Sequence, residues 1–450
     1  MADNIQLNLG LGGDVLAADD IGGAKYQRVK LIHGPDGSNA GDVSVNNPLP
    51  FAGYGAAVDA FGRLRISSAL NLLDAQFTYN LATLRFEAIT SGSGATVTHD
   101  ATNRCALMTF SSTPTGGRAY MQSYEHFRYQ AGNSQLVFVT FNFIEAIADT
   151  IKFAGYGDFR NNGIFFELSG TTKQFVLYSD TSNGDQPVIQ SSWNLDKLDG
   201  TGASGLTLDI TKTNIVVIDL QALYVGRVRV GFDVGGNVIF CHEFNHANTV
   251  ASPYIQTANL PVCCGMSCTG TVSTTMRFVC AAVKSEGGDS DTPGLPFCVE
   301  GTGTAGNGTR AHILSVRPKT TFNSIANRAA FRLESIDAYV SGNNPVLIEL
   351  AIGQAITGTT TFNDVNTTYS AFEFNTAGTI SGSPALVAVA SYCVSSSTAK
   401  GTVSKSVAAR LPITLDAAGA ARSLGTLSIL GTGIGGTSAM RVVMSWREIR

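Results

Sequence analysis

Apolar and polar residues alternate with a period of two through most of this chain, the pattern of strands with one buried face. Leu136–Phe143 (Leu-Val-Phe-Val-Thr-Phe-Asn-Phe), Ile164–Leu168, Phe175–Tyr178, Ile215–Leu220 and Val225–Val234 are strand candidates. In the last run Val228, Val230 and Phe232 face one side, Arg227 and Arg229 the other. Gly235-Gly236 then joins it to Asn237–Phe240, which predicts a hairpin, because the favoured two-residue turn needs positive φ at both positions. Phe61–Ser67 alternates apolar with basic residues. A second series holds Ile313–Val316, Phe331–Val340, Val346–Ile352, Phe372–Phe374, Ala385–Val394, Ser423–Leu430 and Met440–Trp446, with a turn at Asn343-Asn344-Pro345. Between the two series, Glu286–Pro296 (Glu-Gly-Gly-Asp-Ser-Asp-Thr-Pro-Gly-Leu-Pro) has the composition of a linker. No stretch has convincing helical periodicity, and neither short repeats nor heptads mark a solenoid or a helical stalk. The predicted architecture is all-β: an extended N-terminal arm (1–60), a first β-sandwich, jelly-roll-like (61–288), a linker (289–297) and a second β-sandwich (298–450) in tandem.

The arm differs from the rest. Gly12-Gly13, Gly22-Gly23, Gly34-Pro35-Asp36-Gly37 and Asn46–Pro50 break it into turns and extended chain. Only Tyr26–Ile32 alternates like a strand, and one strand has no core unless it joins another sheet. The expectation is docking by strand addition on a partner or a neighbouring copy. Tyr26, Val29, Leu31, Ile32, Pro48 and Pro50 are the expected contact residues.

Composition narrows the class. Hydrophobic residues make up 44% of the 450, enough for real cores. Charged residues make up 14%, against roughly 25% in ordinary soluble domains. A surface so poor in charge is expected to be covered in part by self-association, as a trimer or another ring. The formal net charge of −4 and the lack of any basic tract give no reason to expect nucleic acid. No apolar run approaches the roughly 20 residues that cross a bilayer, so no membrane partner is expected. Met1–Gly13 has no basic residue ahead of its leucines and carries Asp3, so no signal peptide is expected. Synthesis in the cytosol would leave the eight cysteines reduced, with Cys105, Cys241, Cys280 and Cys393 read as small buried hydrophobes.

Several motifs bear on chemistry. His242-Glu243-Phe244-Asn245-His246 matches the zinc-protease pattern His-Glu-x-x-His letter for letter. That pattern works on a helix, which sets two histidines four apart on one face. Here it follows a strand and runs towards Pro253, so the histidines are read as locally hydrogen-bonded and no metal is expected. Cys263, Cys264 and Cys268 offer three thiols that Cys280 or His246 would complete, but neighbours on a strand point to opposite faces. The Gly-x-Gly-x-x-Gly matches at Gly301–Gly306 and Gly431–Gly436 lack a following helix, so no nucleotide cofactor is expected. Glu125, Glu167, Asp209, Asp233 and Glu243 lie near strands; glycoside cleavage needs two such groups across a bond, and sequence does not pair them. Tyr120, Tyr124, Tyr156 and Trp193 would stack on a host-surface glycan if exposed, or fill cores and interfaces if not. Trp193, Asn194, Asp196 and Asp199 are expected to build a structural loop around a buried indole.

A wider set of segments resembles a known family. Asp19-Asp-Ile-Gly-Gly through Gly37, followed by Asp42-Val-Ser and Asn47-Pro-Leu-Pro50, resembles a segment found in many tailed-bacteriophage virion proteins. Asp59–Ser67 is similar to the start of the β-domain that often follows it. Asn161–Glu167, Trp193–Gly200, Val225–Phe232, His242–Asn248, Ser285–Gly288, Leu314–Lys319 and Trp446–Arg450 extend the match over nearly the whole chain. The resemblance implies a non-enzymatic structural protein of the virion, assembled in the host cytoplasm among other virion proteins. It brings no catalytic residue, and it makes His242 and His246 part of a structural signature. An anchoring arm followed by two projecting domains suits a tail or neck appendage or a fibre. The alternatives are a capsid decoration or head protein, and a receptor-binding appendage that binds or cleaves host glycans.

Overall fold

The computed structural model describes residues 5–6, 15–16, 18–21, 24–27, 59, 69–221, 223–287, 294–411 and 413–450. The chain divides into two compact units, Met1–Tyr54 and Gly55–Arg450.

In the first unit Ile5–Gln6 pairs with Val15–Leu16, and Ala18–Ile21 pairs antiparallel with Ala24–Gln27, setting Tyr26 opposite Asp19. The strand expected at Tyr26–Ile32 to await a partner from outside therefore begins earlier and finds one in its own arm. The two residues between these strands are Gly22-Gly23, which suits a tight hairpin connection. A two-stranded pair still has no core of its own. Val29, Leu31, Ile32, Pro48, Pro50 and the Phe61–Ser67 run lie outside the described residues.

The second unit is two all-β sandwiches in tandem, jelly-roll-like in their layering. In the first, an eight-stranded antiparallel sheet runs Asn237–Phe244, Val228–Val234, Asn214–Leu220, Ser134–Asn142, Val272–Glu286, Cys105–Thr113, Ala95–Asp100. Its eighth strand, Leu70–Gln76, lies beside the C-terminal half of Val272–Glu286. The facing seven-stranded sheet runs Gln186–Ile189, Thr172–Tyr178, Asn162–Ser169, Thr150–Asp158, Val262–Cys268, Arg118–Ser123, Phe86–Ser91. Inward side chains of both sheets meet in one core, where Phe166 of one layer packs edge-on to Phe232 of the other at 4.9 Å between centroids. Gly235 and Gly236 have φ of 62° and 84°, the turn expected of them.

The second sandwich sets Leu295–Asn307, Ser438–Ile449, Ala330–Val340 and Gly401–Leu411 against a layer of Asn363–Asp364, Phe372–Asn375, Arg310–Pro318, Leu427–Gly433, Val346–Ile352 and Leu386–Cys393. A short parallel register, Gly306 to Thr432, links the layers. Trp446 is fully buried between them, stacked on Phe331 at 5.4 Å. The linker ends sooner than expected: Leu295–Phe297 already pairs with Glu448–Trp446. Among the described residues that part of the strand pairs with Ser438–Ile449 alone, an edge position of the kind where proline is found. Among the described residues the helical segments are two single 3₁₀ turns, Gln190–Ser192 and Ser423–Gly425.

Candidate functional site

His242 and Glu243 lie within an extended strand, and His246 follows just beyond its end. The helix that would set both histidines on one face is not formed. His242 Nδ1 accepts a hydrogen bond from the Asn194 N–H at 3.3 Å. His246 stacks on Tyr254 at 4.0 Å, with Nδ1 3.0 Å from the Gly226 carbonyl and Nε2 3.3 Å from Gln186 Oε1. Burial lowers the pKa of both rings. Among the described residues, no three His, Cys, Asp or Glu side chains gather as a metal set.

The three thiols diverge as strand alternation requires. Cys264 and Cys268 enter the inter-sheet core, while Cys263 joins Phe153, Phe165, Val176 and Tyr178 on the opposite face of the same sheet. Burial raises the Cys263 and Cys264 pKa values well above the usual thiol range. Cys105, Cys241 and Cys393 are buried, but Cys280 is half-exposed, its Sγ donating to Thr140 Oγ1 at 3.2 Å. Cys280 borders a surface cleft between the Leu70–Gln76 and Cys105–Thr113 strands, which meet Val272–Glu286 on one edge and leave a gap.

Glu167, Asp209, Asp233 and Glu243 each take different partners. Glu167, 1% exposed, accepts from Tyr178 Oη at 2.6 Å and Gln174 Nε2 at 3.0 Å, and burial raises its pKa. Asp209 caps its own turn by accepting from Thr211 N, and Asp233 does the same for Gly236 N. Glu243 faces Arg227 at 3.8 Å. The aromatics offered for sugar stacking are not gathered at an exposed tip: Tyr156 and Trp193 are buried, and Tyr120 and Tyr124 are half-buried. Burial pushes the Tyr120 pKa up to about 12.

Three segments separated in sequence instead converge on one stitched corner: Trp193–Gly200, Val225–Phe232 and His242–Asn248. Asn194 pairs with the edge strand like an added strand residue, Nδ2 donating to the Glu243 carbonyl at 3.0 Å and Oδ1 accepting from Glu243 N at 2.9 Å. The N–H groups of Leu195 and Asp196 both reach the Cys241 carbonyl. Trp193 packs on Phe175 at 4.7 Å and donates Nε1–H to the Val188 carbonyl at 3.1 Å. Asp196 accepts from Leu198 N and Ser204 N, and Asp199 from Thr201 N. Sequence reading anticipated the buried indole and the capping carboxylates. It missed the pairing of this loop with the histidine segment, which no local pattern encodes.

The second built region is the junction between the sandwiches. Glu87 Oε2 accepts from Ala417 N at 2.8 Å, and the Arg422 guanidinium lies on the Tyr124 ring. Asp158 accepts from Gln122 Nε2 at 3.1 Å and lies 3.3 Å from His126 Nε2. Burial pushes its pKa up, but hydrogen bonding and charge from His126, with Arg328 of the second sandwich and Gln122, outweigh burial and hold it below the ordinary value. The junction carries charge-assisted contacts that hold the two sandwiches together.

Fold and site together define a two-domain β-sandwich protein with a separate N-terminal unit. No known family profile and no curated protein matches the chain. Among solved structures, it is similar to an endo-1,3-β-glucanase from Streptomyces sioyaensis, at 11% identity over 49% of this chain and 97% of that one, TM-score 0.34. A carbohydrate esterase from the Shiga toxin-encoding bacteriophage phi24B matches at 10% identity over 48% of this chain and 99% of that one, TM-score 0.31. A glycosyl hydrolase family protein from Mycobacterium fortuitum matches at 12% identity over 48% and 99%, TM-score 0.34.

Proposed function

We propose that this chain is a non-enzymatic structural component of a tailed-phage virion, a self-associating tail or neck appendage or fibre anchored to neighbouring virion proteins through its N-terminal arm. The observation that carries the reading is the division of the chain: Met1–Tyr54 forms one compact unit and Gly55–Arg450 another, and the described strands of the first form only two-stranded pairs. Such pairs are at best marginally stable alone, so the arm gains from a surface to bind. Further support comes from the resemblance to virion proteins. Three of the segments that carry it meet in the Asn194–His242 corner, where their polar groups are spent on each other. In particles that carry the chain, deletion of residues 1–54 should leave a folded body that no longer enters the virion. Incorporation of the truncated chain at the level of the full-length chain would overturn the anchoring role.

A further inference from the structure

Edge strands expose unpaired N–H and C=O groups, and proteins protect them with charges, proline, short length or a cover. Nearly every edge of the two sandwiches follows that rule. Asn237–Phe244 is covered by the Asn194 loop, Ala95–Asp100 ends in an acid, and Leu70–Gln76 carries Asp74. Gln186–Ile189 carries Pro187 and Phe86–Ser91 carries Glu87. In the second sandwich, Leu295–Asn307 carries Pro296 and Glu300, Asn363–Asp364 is two residues long, and Gly401–Leu411 carries Lys405.

Leu386–Cys393 differs from these sheet edges in carrying neither charge nor proline; its one irregularity is a β-bulge that leaves Ala388 unpaired, between Val387 opposite Ala351 and Val389 opposite Leu350. Its sequence is Leu-Val-Ala-Val-Ala-Ser-Tyr-Cys, and its only partner among the described residues is Val346–Ile352. Val389 packs towards the core and Cys393 is buried in it. On the opposite face Leu386, Ala388, Ala390 and Tyr392 are all exposed, Tyr392 at 63%, and Val394 follows at 74%. No charged residue occurs from Ala385 to Ser396.

We infer that this edge is an interface between two copies of this chain, joined by antiparallel pairing of Leu386–Cys393 with its own twofold mate. A twofold axis through Val389 sets Leu386 opposite Tyr392 and Ala388 opposite Ala390, with the Ala388 bulge of each copy beside the axis. The two alanine pairs leave the backbones free to close, and a leucine–tyrosine pair covers each end. A twofold axis brings each residue near its own copy, so a strand bearing net charge meets the same charge across the axis. The neutrality of this strand removes that repulsion, and the self-complementary order of its large and small side chains fits a second copy of the same strand. Pairing would satisfy the open backbone groups, cover the apolar stripe and continue the layer into the second copy. The inference does not depend on the arm or on a virion role.

The test is the mass of the full-length chain by sedimentation equilibrium over a range of concentrations. The 47.2 kDa chain should approach twice that mass as concentration rises. Ala388→Lys with Ala390→Lys places lysine opposite lysine across the axis and should weaken association about 100-fold, because like charges face each other. Both positions are exposed in the single chain, so its circular dichroism and melting should be unchanged. Mixing this variant with Ala388→Glu/Ala390→Glu should restore the doubled mass. A wild-type chain that stays single at every concentration, a lysine variant that associates like wild type, or a mixture that fails to recover would each overturn the proposal. So would association that is lost on deleting residues 1–54 and kept in the lysine variant, since that assigns it to the arm.

Discussion

The guanidinium of Arg422 lies over the ring of Tyr124, its central carbon 3.3 Å from the ring centroid, and so ties the second sandwich to the first. Burial lowers the Arg422 pKa and raises that of Tyr124, as expected of a contact with little water around it. A partly desolvated cation–π pair contributes about 1–2 kcal/mol. Arg422→Ala should therefore uncouple the sandwiches, splitting one calorimetric unfolding transition into two. A single transition at the wild-type temperature would show that the junction does not rest on this pair.

Trp193 is 3% exposed, packs on Phe175 and has its N–H satisfied by a backbone carbonyl. Trp193→Ala leaves a cavity beside the Phe175–Phe232 cluster and frees the Val188 carbonyl. The expected loss is about 3–5 kcal/mol, the range for a large buried aromatic. Urea unfolding measures it, and a change near zero would mean that the indole is not part of the core.

Three histidines, His242, His246 and His312, have pKa values lowered chiefly by burial. The unfolded chain then binds protons more readily than the folded one. Stability from these groups is fully present above the unfolded histidine pKa of about 6.5 and is lost as pH falls through the folded values. The urea midpoint should be lower at about pH 5.5 than at about pH 7.5, and His246→Gln should shrink that difference. An equal or higher midpoint at the acid pH would contradict neutral burial of these rings.

The strands and tight turns were legible because their signals are local. The Ser134–Asn142 strand overlaps the alternation of Leu136–Phe143, and the Gly235-Gly236 hairpin forms where its glycines predict it. Alternation at Tyr26 marks a strand without naming its partner, and one partner lies only a few residues back at Asp19. The linker ends before Leu295 because a Gly/Pro-rich composition does not exclude pairing at a sheet edge. Lys152 gave no signal at all. Between Ile151 and Phe153 it looks like an ordinary exposed lysine, yet it is fully buried. Its Nζ lies 2.7–3.0 Å from the carbonyls of Phe143, Glu145 and Thr275 and from Thr274 Oγ1, and burial pushes its pKa down to about 8.

By itself the sequence determined that this protein is β throughout, where its strands and turns fall, and which side chains share a strand face. Those properties follow from backbone stereochemistry and a two-residue period, which act over a few positions. Tertiary structure alone decided that Asn194 meets Glu243, that Arg422 covers Tyr124 and that Leu386–Cys393 lies at an open edge. Each depends on which distant strands become neighbours, and that choice is made by the joint burial of whole faces.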